Sequence, residues 1–419
     1  MNDLNKYNEI PLLAKWKALL LEYGVDLNDL YLFNNYKDIE LYKIKYRILN
    51  PVTKNLEVYD ESEDNSIIPS EIIIKNGKES SIAKLRYRND SPIVLDTDNK
   101  IFFLKIKSSG KKIPLKITLV KKRNYQKQTL PKKINKNCPK IADFIDFVGL
   151  DRMSVIFFDG CWNWNCNKAC SFCDLNPKRK NYSSAKPTLN TLSDYDFNID
   201  KWWQYYKKEY LEGLSYTFDY LLKTEEILPH KHLLLMCGNL SSSKKVWDIS
   251  IEIIDTLNKV SDINKMDNYL NVCPHPNIKY LKKVKEKGIK SVQYNLEVIG
   301  EKDFKKFCPG KINYNLFISK LEEAVSIMGF GNVRSNFVIG IQPTDKLLAG
   351  IKELAKKGIV ADYSIFQPKR STPLENHPAP DMDVIVCFTK ELVKIYKQYD
   401  FKGIYCRLSS RSSIINECL

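Results

Sequence analysis

From about Phe147 to Tyr399 one pattern repeats: a short apolar run, then a longer run with helical spacing. "RMSVIFF" comes first, and later "WWQYYKKEYLEGLSYTFDYLL". "HLLLMC" precedes "KVWDISIEIIDTLNKV", and "NYLNVC" precedes "IKYLKKVKEKG", which Gly288 closes. "SVQYNLEV" precedes a helix ending near Gly329, and "VRSNFVIGI" precedes "KLLAGIKELAKKG", which Gly358 closes. "DYSIFQP" precedes "VIVCFTKELVKIYKQY". A strand followed by a helix must cross over before it pairs again, so strict alternation implies a parallel sheet. Six such units suit a partial (β/α)6 barrel better than a complete eight-unit one.

The chain before this region follows another period. Ile10 to Tyr23 reads as one amphipathic helix, and Ile39 to Tyr125 holds short alternating runs broken by turn residues. "TDNK" and "SSGKK" read as hairpin connections. The expectation is α/β: residues 1–125 a smaller β-rich N-terminal domain behind a helix, 126–146 a polar linker with Pro131 and Pro139, and 147–419 the barrel with a C-terminal extension.

The net charge is +16, and residues 99–140 carry fourteen Lys or Arg with no Asp or Glu. A chain rich in Lys, Asn and Ile gains such charge from composition alone. The stretch reads either as a solvated face or as a platform for an anionic polymer. The solvated reading, with a lid or packing role for the domain, is preferred. No run of 18 apolar residues is present, so no transmembrane helix is expected. "MNDLNKYNEI" lacks the layout of a secretory signal, which gives a cytoplasmic expectation. There, clustered cysteines bind metal or do chemistry more often than they form disulfides.

The chain has 11 cysteines in 419 residues, and three fall in "CNKACSFCDL". At this frequency a given cysteine finds both partners by chance about once in one to two thousand. Three thiolates are one short of a closed zinc site, and no nearby histidine completes it; Cys161, five residues upstream, is a possible fourth ligand. Thiolates also hold iron–sulfur clusters, and three on a four-iron cluster leave one iron open.

Cys166-x-x-x-Cys170-x-Phe172-Cys173, directly after the first strand of a six-unit barrel, resembles the signature of the radical S-adenosylmethionine (SAM) superfamily. Phe172 is the aromatic of that signature. The resemblance implies a [4Fe–4S] cluster on Cys166, Cys170 and Cys173, with SAM on the fourth iron. One electron from a flavodoxin- or ferredoxin-like reductant would cleave SAM to methionine and a 5′-deoxyadenosyl radical, which takes a hydrogen from the substrate. Gly238 matches the family's glycine-rich stretch at the second strand end, although Asn239 departs from its usual ending. The branch similar to biotin synthase implies cofactor contacts at Glu297 and Asn295, which share a strand face. It also implies a basic residue for the cofactor carboxylate, at Lys320 or Arg334, and a small residue beside the adenine, at Gly340. Tyr363 to Phe366 are further adenine candidates. His275, at the third strand end, reads as a substrate contact or proton donor. Trp162 and Trp164 flank the cluster loop and read as shields or substrate contacts.

The resulting expectation is a radical SAM enzyme acting on a small biosynthetic substrate. The alternatives are modification of a peptide or nucleic acid docked on the basic N-terminal domain, and a non-catalytic zinc or iron–sulfur module.

Overall fold

A computed structural model describes residues 7–29, 32–33, 36, 38–39, 41–43, 47–49, 56–58, 66–158, 160–173, 175, 198–224, 232–369, 372–403, 406 and 410–419. Helix α1 (Leu12–Tyr23) begins after Pro11 and ends at Gly24. Proline is suited to a helix start and glycine to its end. Beyond it lie small sheets. Asp26–Leu27, Ile93–Asp98 and Ile101–Ile106 form one, and Lys116–Leu119, Glu71–Asn76 and Glu79–Lys84 another. The expected "TDNK" hairpin is present: Asp98 pairs with Ile101 across Asn99 and Lys100, both at positive φ. That is the backbone a tight two-residue hairpin turn requires. Part of the alternating stretch read between Ile39 and Ser66 lies outside the described residues.

The expected linker is packed. Leu130, Ile141, Phe144 and Ile145 are all buried, and the Tyr125 hydroxyl donates to Asp146 Oδ1 at 2.6 Å. It leads into one seven-stranded sheet laid down in sequence order. The strands are β1 (Asp146–Val148), β2 (Arg152–Ile156), β3 (His232–Met236), β4 (Asp267–Asn271), β5 (Ser291–Gln293), β6 (Val333–Ile339) and β7 (Ile359–Ile365). β1 is an antiparallel edge that the periodicity did not separate from β2; all later neighbours pair in parallel. The open, curled sheet is the partial barrel read from the alternation.

A short helix, α2 (Trp162–Asn165), lies within the cysteine loop. The crossovers carry α3 (Ile199–Lys223), α4 (Ser243–Val260), α5 (Lys279–Glu286), α6 (Glu301–Phe307), α7 (Tyr314–Met328) and α8 (Thr344–Lys356), and α9 (Met382–Gln398) follows β7. Side chains alternate along each strand. Met153, Val155, Leu233, Leu235, Leu270, Val292 and Phe337 take one face and are wholly buried. Each contributes about 1.5–3 kcal/mol on burial. The other face is polar from β4 onward: Tyr269 and Asn271, Gln293 and Asn295, Arg334 and Asn336, Asp362 and Ser364. The barrel therefore has a polar interior, where a purely structural parallel sheet would be apolar on both faces.

The C-terminal segment is clamped between the barrel and the N-terminal region. Lys17, wholly buried on α1, pairs with Glu417 Oε1 at 2.8 Å and donates to the Ser410 carbonyl. Arg411 pairs with Glu71 at 2.7 Å, and Lys84 N donates to Arg411 O at 3.1 Å. Among the described residues no helix is long and apolar enough to cross a membrane.

Candidate active site

The C-terminal ends of the parallel strands surround an open cleft of about 1220 Å³. The loop after β2 forms one wall with Cys161, Trp162, Asn163 and Cys170, and the β3 end another with Cys237, Gly238 and Asn239. Asn271 and Cys273 end β4, while Asn295 and Glu297 follow β5. Gly310 and Lys311, between α6 and α7, complete the rim.

Two glycines let these walls meet. A Cβ on Gly238 would stand 1.6 Å from the Gly160 carbonyl oxygen. Any side chain there would push the β3 end away from the cysteine loop. A Cβ on Gly310 would stand 2.5 Å from both Asn163 and the Lys168 carbonyl. The loop is further tied by Trp162 N to Asn239 O at 2.7 Å and Ser171 N to Phe307 O at 2.8 Å.

Cys166, Cys170 and Cys173 are all free thiols, with Cys166 exposed and the other two half-buried. A hydrogen bond from the Cys308 thiol, helped by the nearby Lys311 charge, holds Cys170 below the ordinary thiol range against its burial. Burial pushes the Cys173 thiol up to about 12. Among the described residues no three His, Cys, Asp or Glu side chains close around a single ion. The thiolates of a four-iron cluster bind different irons and so stand farther apart than donors around one ion. Three free thiols on one loop, with Cys170 opening on a large cleft beside a buried cation, fit such a cluster.

Glu297 has φ +72°, a left-handed conformation uncommon outside glycine and costing about 1–3 kcal/mol. Its backbone is held by Glu297 N to Asn336 O at 3.0 Å and Val338 N to Glu297 O at 2.9 Å. The carboxylate meets Lys311 Nζ at 3.2 Å and accepts from Asn336 Nδ2 at 3.3 Å. Lys311 also donates to the Asn295 carbonyl. Burial alone would lower the Lys311 pKa, but Glu297, with Cys308 and Cys170, outweighs it and raises it. Asn295 Nδ2 donates to Asn271 Oδ1 at 3.3 Å. A paired ammonium and carboxylate, ringed by amides, thus face the cleft.

Of the residues singled out from sequence, the cleft gathers Cys170, Trp162, Gly238, Asn239, Asn295 and Glu297. Phe172 packs against the core beside it. Trp164 lies on α2 with its indole N–H buried and without a hydrogen-bond partner, and is not among the residues lining the cleft. Gly340 ends β6, and its carbonyl accepts from His377 Nε2 at 2.7 Å.

Three of the residues singled out from sequence lie outside the cleft lining. Lys320 points away from the cleft: its Nζ donates to the Pro276 carbonyl at 2.9 Å and to Glu323 at 2.7 Å. Arg334 forms a two-pronged pair with Asp362 inside the barrel, at 2.7 and 2.6 Å. His275 shares a small separate pocket with Lys320. It is stacked on Tyr280 at 4.0 Å and accepts from Asn277 N at 2.8 Å. The strand ends at Asn271 and the chain bends at Val272, so the alternation does not carry His275 onto the face of Asn271. Burial lowers the His275 pKa, so it is neutral at pH 7.

The reading from sequence missed Lys311, Asn271 and Cys273 as cleft residues; Cys161, read as a possible fourth ligand, lines the cleft too. Lys311 sits in a connection, where no period marks it. Cys161, Cys237 and Cys273 line the cleft in addition to Cys170, and burial pushes Cys273 up to about 12. Its thiol donates to Asn239 Oδ1. Iodoacetamide labelling of Cys273 at neutral pH should therefore be far slower than that of exposed Cys387, and should rise with pH. Peptide mapping by mass spectrometry reads this directly; equal rates would contradict the protected thiol.

No family model matches the chain. Bacteriochlorophyllide c C-7(1)-hydroxylase of Chlorobaculum limnaeum is 28% identical over 141 residues, 33% of this chain. The match spans about a third of that curated relative, 35% of its length. Methylornithine synthase has a similar structure at TM-score 0.42 and 13% identity, covering 67% of this chain and 76% of that one. Coproporphyrinogen III oxidase from Escherichia coli is similar at TM-score 0.37 and 10% identity, covering 62% and 55%. The last is a radical SAM enzyme, the superfamily that the cysteine loop resembles.

Proposed function

We propose that the chain is a radical SAM enzyme whose cluster is held by Cys166, Cys170 and Cys173, and that it acts on a small molecule admitted to the barrel. The observation that carries this is the joining of the three-thiol loop to one cleft with the Lys311–Glu297 pair. The bound cluster and SAM together would supply a 5′-deoxyadenosyl radical able to take hydrogen from an unactivated carbon. The chain's own residues bind, orient and exclude water. Lys311 and Glu297 present opposite charges, as an amino acid's carboxylate and ammonium require. Asn271, Asn295 and Asn239 add neutral hydrogen-bonding groups, and Trp162 covers the wall beside Cys170.

A small substrate is favoured over a docked polymer by the placement of the N-terminal region. Its contacts run to Gln367, Asp383, Lys390, Ser410, Arg411 and Glu417. None of these lines the cleft. The basic stretch is also partly neutralised: Lys105 pairs with Asp96 at 2.6 Å and Lys107 with Asp26 at 2.5 Å. A flavodoxin- or ferredoxin-like protein remains the expected electron source.

SAM titrated calorimetrically into the reconstituted protein should bind, and Glu297→Gln should bind it roughly tenfold more weakly, as loss of one charged contact implies. Iron content should be unchanged. Equal affinity in both proteins would remove Glu297 from the SAM site.

A further inference from the structure

The barrel interior holds a second cavity of about 110 Å³, lined in part by Tyr269, Gln293, Arg334 and Asp362. Tyr269 and Gln293 each stand two residues before Asn271 and Asn295, which line the cleft. They share the strand faces of those residues one step deeper in the barrel. Asn336 lines the chamber and reaches Glu297 in the cleft at 3.3 Å, so a layer of amides separates the two spaces. Ser410 and Ser413 close the chamber from the C-terminal segment, which the Lys17–Glu417 pair fastens to the N-terminal region.

We propose that this chamber binds an uncharged small molecule, or the uncharged end of a larger one, bearing hydroxyl or amide groups that Gln293 and Tyr269 read. Both residues are 7% exposed and line the chamber, and among the described residues neither side chain is engaged in a hydrogen bond within the protein. Their polar atoms open onto the chamber. A polar group facing an enclosed space is satisfied only by something that hydrogen-bonds to it, so the chamber suits a ligand or water with polar groups. Gln293 offers both donors and an acceptor. Burial pushes the Tyr269 hydroxyl up to about 12, so it keeps its proton and can donate as well as accept.

The charges nearby are already engaged. Arg334 grips Asp362 through two bonds. Arg152 places Nε and Nη2 at 2.9 and 2.7 Å from Cys406 Sγ. A carboxylate would have to compete with these partners. An apolar ligand would strand the Gln293 amide and the Tyr269 hydroxyl. The selectivity of the chamber for neutral polar groups does not rest on the radical reading.

Ligand-observed NMR on the full chain tests this with acetamide, glycerol, acetate and toluene as probes. Acetamide and glycerol should bind, and Gln293→Leu should weaken acetamide roughly fivefold, the worth of one hydrogen bond. Tyr269→Phe keeps the ring and should weaken glycerol, which gives a second reading if the first variant does not fold. Acetate or toluene binding as well as acetamide, or probe affinities unchanged in both variants, would overturn the proposal. SAM cleavage by the wild-type chain is measured in parallel. If none occurs the radical reading fails, and the probe result alone still decides the chamber.

Discussion

Replacing Cys166, Cys170 or Cys173 by alanine is expected to abolish iron binding, where the wild-type chain reconstituted without oxygen takes up about four irons. In the proposed cluster each thiolate would hold a different iron, so two would not replace three. The loop is built for this set. Its start is pressed against the β3 end through Gly160 and Gly238, and its far side against Gly310. Cys170 is the thiol best prepared to ligate. Its thiol is held below the ordinary range by Cys308 and Lys311, which favours the thiolate a metal requires. Cys387→Ala is the control: that cysteine is free and exposed on α9, and its loss should leave iron and sulfide unchanged. Full iron content in any motif variant would remove that cysteine from the ligand set.

Arg334→Met is expected to destabilise the fold by about 3–5 kcal/mol, because it leaves the Asp362 carboxylate buried without its cation. The pair is 3% and 8% exposed and is bonded twice. Arg334 Nη2 also meets the Tyr396 hydroxyl of α9 at 3.3 Å, so the pair joins β6, β7 and the last barrel helix. The double variant Arg334→Met/Asp362→Leu should recover most of the loss, since no charge is then stranded. Urea denaturation of the three proteins measures this. If Arg334 instead held the SAM carboxylate, Arg334→Met would lose SAM affinity while its stability stayed near wild type.

The contrast between Arg334 and Glu297 shows where the sequence was legible. In "SVQYNLEV" the polar residues alternate from Ser291 to Glu297. A period of two is a local property, so it correctly put Asn295 and Glu297 on the interior face. The partner of Arg334 depends on register. Asn336 stands opposite Asp362 in the parallel pair β6–β7, which lets Arg334 reach diagonally across to that carboxylate. No local pattern in either strand announces the pairing. Lys311 was hidden for another reason. It gains its role from burial beside Glu297, Cys170 and Cys308, which come from three separate connections. His275 lies off the cleft lining because the strand ends at Asn271 and its period of two does not carry on to residue 275. The cysteine loop and the six alternating units were readable because each is a spacing along the chain. The chamber was not, because it is a property of the closed interior and of a C-terminal segment clamped from outside.

The central claim is tested most directly by the products formed from SAM. The reconstituted chain is mixed without oxygen with SAM and dithionite, and 5′-deoxyadenosine and methionine are quantified. The account predicts both products in equal amounts, and neither from Cys170→Ala. A chain that holds stoichiometric zinc, takes up no iron and forms no 5′-deoxyadenosine would contradict it.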